Sequence, residues 1–215
     1  MDTAPTPSQP SHSALLIDFG GVLTTDIWQS FDAFCRAEGL PEGTIKQMFR
    51  DRPEALAELR KLEKGEADEA AFEASFAELL GVSADGLIER LFEGMEPADR
   101  MLEAVRRVRT AGRLTCLVSN SWSLAHYDEA QLRELFDAIV ISGQVGLHKP
   151  QPEIYELAAE RLGLAPPACV FVDDLRENCA GAEAVGMAAI LHRDVDETLA
   201  RLEELLGVEL GARRS

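Results

Sequence analysis

Six side chains of this sequence could do chemistry together: the carboxylates of Asp18, Asp173 and Asp174, the Ser119 hydroxyl with its neighbour Asn120, and the Lys149 ammonium. Each follows a short apolar run directly or, for Lys149, a few residues later. Three carboxylates brought to one place repel one another unless protons or a cation compensate, and hard divalent ions are the usual partners of oxygen ligands. Mg²⁺ is the natural candidate. A divalent ion beside a lysine and a small hydroxyl is also what a phosphoryl group needs, because its spread negative charge is neutralised from several sides. A carboxylate in such a site can act as a nucleophile and form an aspartyl-phosphate, dividing one hard step into two.

The elements that must position these groups are legible in the hydrophobic pattern. Runs at 14–17, 114–118, 138–141, 169–172 and 188–191 are apolar without polar alternation, as expected of strands buried on both faces. Between the later ones lie amphipathic helices, with Met101, Leu102, Val105 and Val108 on one face before Gly112, and Ile154, Leu157, Ala158 and Leu162 before Gly163. The pattern predicts an α/β fold: a Rossmann-like parallel sheet with helices on both faces. In such sheets ligands bind beyond the carboxyl ends of the strands, which is where the six groups fall; Lys149-Pro150 precedes a helix opened by Pro152.

Nearly a hundred residues separate the first two strands, so an insertion is expected there. Residues 26–97 carry helical periodicities and no convincing strand, which predicts an all-helical cap subdomain over one end of a core made of 14–25 and 98–207. Residues 1–13, rich in Pro, Ser and Thr, and residues 208–215 are expected to be tails, the first of them disordered. The Glu/Ala-rich stretch 62–78 reads as a solvated helix face.

Asp18-Phe19-Gly20-Gly21-Val22-Leu23-Thr24, Ser119-Asn120, Lys149-Pro150 and Phe171-Val172-Asp173-Asp174-Leu175-Arg176-Glu177-Asn178 resemble, in order and spacing, the four signature motifs of the haloacid dehalogenase superfamily. The resemblance covers about residues 14–207, and the insertion falls where that family carries a helical cap. Among its subgroups the chain looks most like the one holding the amino-terminal phosphatase domain of soluble epoxide hydrolase and some sugar-phosphate phosphatases. The resemblance implies that Asp18 is the nucleophile, that Ser119 and Asn120 bind phosphoryl oxygens, and that Lys149 steadies Asp18 and the phosphoryl charge. It also implies an Mg²⁺ site made of Asp18, the Gly20 carbonyl, Asp174 and, as its close partner, Asp173.

One position departs from the pattern. Phosphatases of this family usually carry a second Asp two residues after the nucleophile, serving as general acid and then base; here that residue is Gly20. General acid–base groups contribute about 10² to 10⁴-fold, so slow turnover on poor leaving groups is expected, with His148 or water as substitutes. Gly20 keeps two alternatives to an Mg²⁺-dependent phosphatase of a small phosphorylated metabolite in view. One is removal of halide from a 2-haloacid, in which the leaving group needs no proton. The other is a weakly active or inactive relative that binds a phosphoryl ligand or a protein. The acidic pair argues against the first, and the retention of Asp18, Ser119, Lys149 and Asp174 together argues against the second.

Composition narrows the partners. Twenty-one Lys and Arg against 38 Asp and Glu on 215 residues give a net charge of -17. Such a surface repels phosphate backbones, so nucleic acid and anionic membranes are not expected partners. Cys35, Cys116, Cys169 and Cys179 form no CxxC pair and read as reduced, buried thiols. With no secretory pattern and no run of about 18 apolar residues, a cytoplasmic protein is expected. Its oligomeric state is open. Arg100, Arg106, Arg107, Arg109 and Arg113 read as a solvated helix face, Trp28, Phe31 and Phe34 as core, and Trp122 and His126 as candidate pocket walls.

Overall fold

A computed structural model describes residues 12–122 and 128–212. His126 therefore lies outside the described residues. The chain runs β1 (Ala14–Ile17), α1 (Ile27–Ala37), α2 (Thr44–Asp51), α3 (Pro53–Glu63), α4 (Glu69–Leu80), α5 (Leu87–Phe92) and α6 (Asp99–Thr110). It continues through β2 (Leu114–Ser119), α7 (Glu129–Leu135), β3 (Ala138–Ile141), α8 (Ser142–Val145) and α9 (Pro152–Arg161). A single 3₁₀ turn leads to β4 (Cys169–Asp173), α10 (Arg176–Ala184), β5 (Ala188–Leu191) and α11 (Val195–Leu206).

The five strands form one parallel sheet in the order β3-β2-β1-β4-β5. Continuous apolar runs are required here because both faces are covered. Leu15, Ile17, Leu117, Val170 and Val172 pack toward α6 and α11. Their alternates Leu16, Cys116, Val118 and Phe171 pack toward α9 and α10. The expected helix face of Met101, Leu102, Val105 and Val108 is buried. On the outside of α6 the arginines pair with acids rather than standing free: Arg106 with Glu134, Arg107 with Glu103 and Arg109 with Asp137.

Helices α1 to α5 pack around a core of their own that includes Phe34, Ile45, Leu62, Phe72, Phe76 and Leu87. The chain enters and leaves this helical unit at one point. Thr24 and Pro97 form an antiparallel bridge, Thr25 N donates to Glu96 O at 2.8 Å, and Ala98 N donates to Leu23 O at 2.9 Å.

The carboxyl end of the chain differs from the expected tail. Leu210 is buried against the same core as α11, and the Glu203 carboxylate accepts from the backbone N–H groups of Leu210, Gly211 and Ala212. One glutamate thus satisfies three donors and ties residues 210–212 down. Among the described residues no helix is long and apolar enough to cross a membrane.

Candidate active site

Because β1 is the central strand, with β2 and β4 on either side, the residues after its last apolar position face both neighbours. Asp18 follows β1 and its N–H donates to Val172 O at 2.9 Å, continuing the sheet by one rung. Ser119 ends β2, Asp173 ends β4, and Lys149 reaches the same rim from the turn between α8 and α9. The Lys149 ammonium stands 2.7 Å from Asp18 Oδ1 and 2.7 Å from Asp173 Oδ2, and is 1% exposed.

Asp173 is held from every side. Asn178 Nδ2 donates to its two oxygens at 3.0 and 3.1 Å, and Leu175 N donates to Oδ1 at 2.8 Å. Asn178 is itself fixed by α10, with Tyr155 Oη donating to its carbonyl at 2.8 Å. The Asp173 carboxylate is therefore occupied by hydrogen bonds and by Lys149, leaving Asp18 and Asp174 as the acids with oxygens to offer. Oxygen atoms of Asp18, Asp173 and Asp174 lie within 4.8 Å of one another.

Three carboxylates and one ammonium give −3 + 1 = −2 in a largely buried place. Burial pushes the Asp18 carboxyl up to about 7; Lys149 pulls against this and Asp173 adds to it. Burial likewise raises Asp174 to about 6, helped by Asp173 and opposed by Lys149. Burial would discharge the Lys149 ammonium, but Asp18 and Asp173 together outweigh it and hold its pKa above the usual lysine value. A charge deficit among hard oxygen donors is the condition under which a divalent cation binds, so the donor set fits Mg²⁺. Gly21 makes the close approach possible: at φ +72°, a Cβ there would lie 2.8 Å from Asp174 Oδ2.

The sequence profile of the haloacid dehalogenase-like hydrolases matches residues 12–186. The chain belongs to this family. This hydrolase is 30% identical over 198 residues to Phosphatase MT3486 of Mycobacterium tuberculosis, covering 84% of this chain and 87% of that protein. It is 38% identical over 117 residues to Bifunctional epoxide hydrolase 2 of Sus scrofa, covering 51% of this chain. The matched part is only 21% of that longer protein. The fold of the hydrolase is shared with the HAD family enzyme bt-2542 from Bacteroides thetaiotaomicron, solved in complex with magnesium and inorganic phosphate. That likeness has a TM-score of 0.66 and 23% identity, and covers 85% of this chain and 94% of the other.

The motif residues of the hydrolase meet at one cavity of about 850 Å³, lined among others by Asp18, Gly20, Ser119, Asn120, Lys149 and Asp174. Asn120 does something other than reach outward. Its Oδ1 accepts from Lys149 N at 2.9 Å and its Nδ2 donates to Lys149 O at 3.1 Å, so its side chain is spent on holding Lys149. His148 lines the cavity, with ring Nδ1 3.1 Å from Lys149 O. Trp28 and Phe31, expected as core, pack in the helical unit and also form cavity wall, as does Trp122.

Glu63 corrects the expectation for the 62–78 stretch. It is no solvated face residue: it is partly buried, lines the same cavity as Asp18, and burial pushes its carboxyl up to about 7. Sequence periodicity hid it because it is the last residue of α3, where the chain turns toward the sheet. The role of Asn178 is legible only as part of a motif, and Ser142, which joins α3 to α8 through the Glu63 carbonyl, carries no signal in the sequence.

Proposed function

We propose that this hydrolase is an Mg²⁺-dependent phosphatase that hydrolyses a small phosphorylated metabolite through an aspartyl-phosphate on Asp18. The observation that carries the reading is the Lys149 ammonium bridging Asp18 and Asp173 at 2.7 Å each on the floor of the cavity. That arrangement keeps the Asp18 carboxylate oriented while leaving positive charge beside the place where phosphoryl oxygens would lie. Asp18 would attack phosphorus, Ser119 and the Asn120 backbone would hold the equatorial oxygens, and Asn120 would keep Lys149 in register. Asp18, Asp174 and the Gly20 carbonyl would hold the ion, with Asp173 orienting the group through Lys149. When bound, Mg²⁺ would supply neutralisation of the phosphoryl charge. Phosphatase MT3486 and a Fructose-1-phosphate phosphatase of Escherichia coli, 41% identical over 59 residues, support phosphate monoesters as the substrate class. Four free, buried cysteines accord with a reducing compartment such as the cytoplasm.

The test is release of phosphate from p-nitrophenyl phosphate, with Mg²⁺ and with a chelator, by the wild type and by Asp18→Asn. Activity that needs both Mg²⁺ and Asp18 upholds the reading; an inert wild type overturns it. Halide release from 2-haloacids is the next assay in that event, although a carboxylate as heavily engaged as Asp173 has no evident use in that reaction.

A further inference from the structure

The open question in this site is the proton. The departing ester oxygen needs one and the attacking water must lose one, yet Gly20 offers no side chain for either. A Cβ at Gly20 would meet nothing within 4 Å, so the cavity that Gly20 lines together with Asp18 has room there that no side chain fills. We propose that Glu63, delivered by the helical cap, is the general acid and base of this enzyme. The proposal rests on the phosphatase reading.

Three observations support it. Glu63 lines the cavity that holds Asp18, Lys149 and Gly20, and among the described residues its carboxylate makes no hydrogen bond or ion pair. Its backbone is held where α3 meets α8: Ser142 Oγ donates to Glu63 O at 2.7 Å, and close by Trp122 Nε1 donates to Glu69 Oε1 at the start of α4 at 2.8 Å. Gly65 lies so close to α8 that a Cβ on it would stand 2.9 Å from Gly143 O. Finally, Glu63 is the last residue of α3, where the carbonyl end of the helix disfavours a carboxylate, so a structural reason for an acid there is lacking.

The groups that face it are Arg60 one turn earlier on α3, Lys64 beside it, and Asp18, His148 and Lys149 across the cavity. Burial raises the carboxyl to about 7, with Arg60 and Lys149 lowering it and Asp18 raising it. A group near neutrality can both give and take a proton at working pH.

The proton balance closes. In the first half, the Asp18–phosphorus bond forms, the ester P–O bond breaks, and the Glu63 proton passes to the departing oxygen, giving the alcohol and the Glu63 carboxylate. In the second half, water gives a proton to Glu63 as its oxygen bonds to phosphorus, and the phosphorus–Asp18 oxygen bond breaks. Phosphate leaves, and both carboxyl groups return to their starting states.

The experiment compares Glu63→Gln with wild type on two esters, n-butyl phosphate and p-nitrophenyl phosphate, with Mg²⁺. For both, kcat/KM reports steps up to leaving-group departure, and only the alkoxide needs a proton. The expected result is a fall in the butyl-to-nitrophenyl ratio of kcat/KM by about 30-fold or more. A burst of about one nitrophenolate per enzyme should accompany it, because the phosphoenzyme forms but loses its base for hydrolysis. Equal losses on the two esters, a change in KM alone, or no burst overturn the proposal while leaving the phosphatase reading intact. An inert wild type on nitrophenyl phosphate sinks that reading and this one with it. Should Glu63→Gln fold poorly, Glu63→Ala with added formate takes its place, with recovery of butyl turnover expected and its absence counting against the assignment.

Discussion

Asn120 grips Lys149 by the backbone, accepting from its N–H at 2.9 Å and donating to its carbonyl at 3.1 Å. Two residues 29 apart in sequence are thereby locked in register, and the ammonium at the far end of Lys149 is aimed at Asp18. Asn120→Ala leaves both backbone groups without their partner, which costs about 1 to 3 kcal/mol. Displacement of the ammonium by even 1 Å should lower kcat by about 10²-fold. Urea unfolding and phosphate release check the two halves; a large rise in KM with unchanged kcat would show instead that Asn120 acts on the substrate directly.

A second expectation concerns stability against pH. The Glu63 carboxyl rises from 4.5 to about 7 on folding, chiefly through burial. For a raised carboxyl the folded state binds the proton more tightly, so the cost of ionising it is absent below about pH 4, grows as pH rises, and is complete above about pH 7. Glu63→Gln should therefore be more stable than wild type by about 1 to 3 kcal/mol at pH 8 and no different near pH 4. Urea midpoints at the two pH values, without divalent ions, test this. A difference that is the same at both would exclude ionisation as its source.

The metal reading can be checked without turnover. Mg²⁺ at a hundred times its Kd should stabilise the wild type by about 2.7 kcal/mol, visible as a rise in Tm. Gly21→Ala should lose most of that rise, since its Cβ would meet Asp174 Oδ2 at 2.8 Å and its φ of +72° strains any side chain. A full Mg²⁺ response in that variant would place the ion away from Asp174.

Gly20→Asp offers a gain rather than a loss. With nothing within 4 Å of the added Cβ, the side chain should be accommodated. A second proton donor above Asp18 should raise kcat/KM for n-butyl phosphate by about tenfold, within the range such groups supply. No gain would mean that position 20 does not look onto the departing oxygen.

The strands and the residues at their ends were legible in the sequence because burial on both faces demands unbroken apolar runs, and such runs end where side chains must meet water or ligand. Asp18, Ser119 and Asp173 follow from that logic, and Lys149 from its place between the third strand and a helix opened by proline. What the sequence left hidden depends on long-range meetings. The grip of the Asn120 side chain on Lys149 shows only when the two, 29 residues apart, are brought together, and Glu63 looks like one more acid in a charged stretch until α3 is docked. The pairing of Ser142 with Glu63 spans 79 residues with no pattern at either end.

The antiparallel pairing of residues 23–25 with 96–98 means that the ends of the helical unit are held as close as neighbouring strands, whatever the helices between them do. Loop-closure entropy depends only logarithmically on the number of residues between two such points, each doubling costing about 0.6 kcal/mol. The stretch between Thr25 and Glu96 could therefore grow, shrink or be exchanged for another folded unit with little penalty to the sheet. A chain organised in this way can change what covers its nucleophile while keeping the nucleophile itself unaltered.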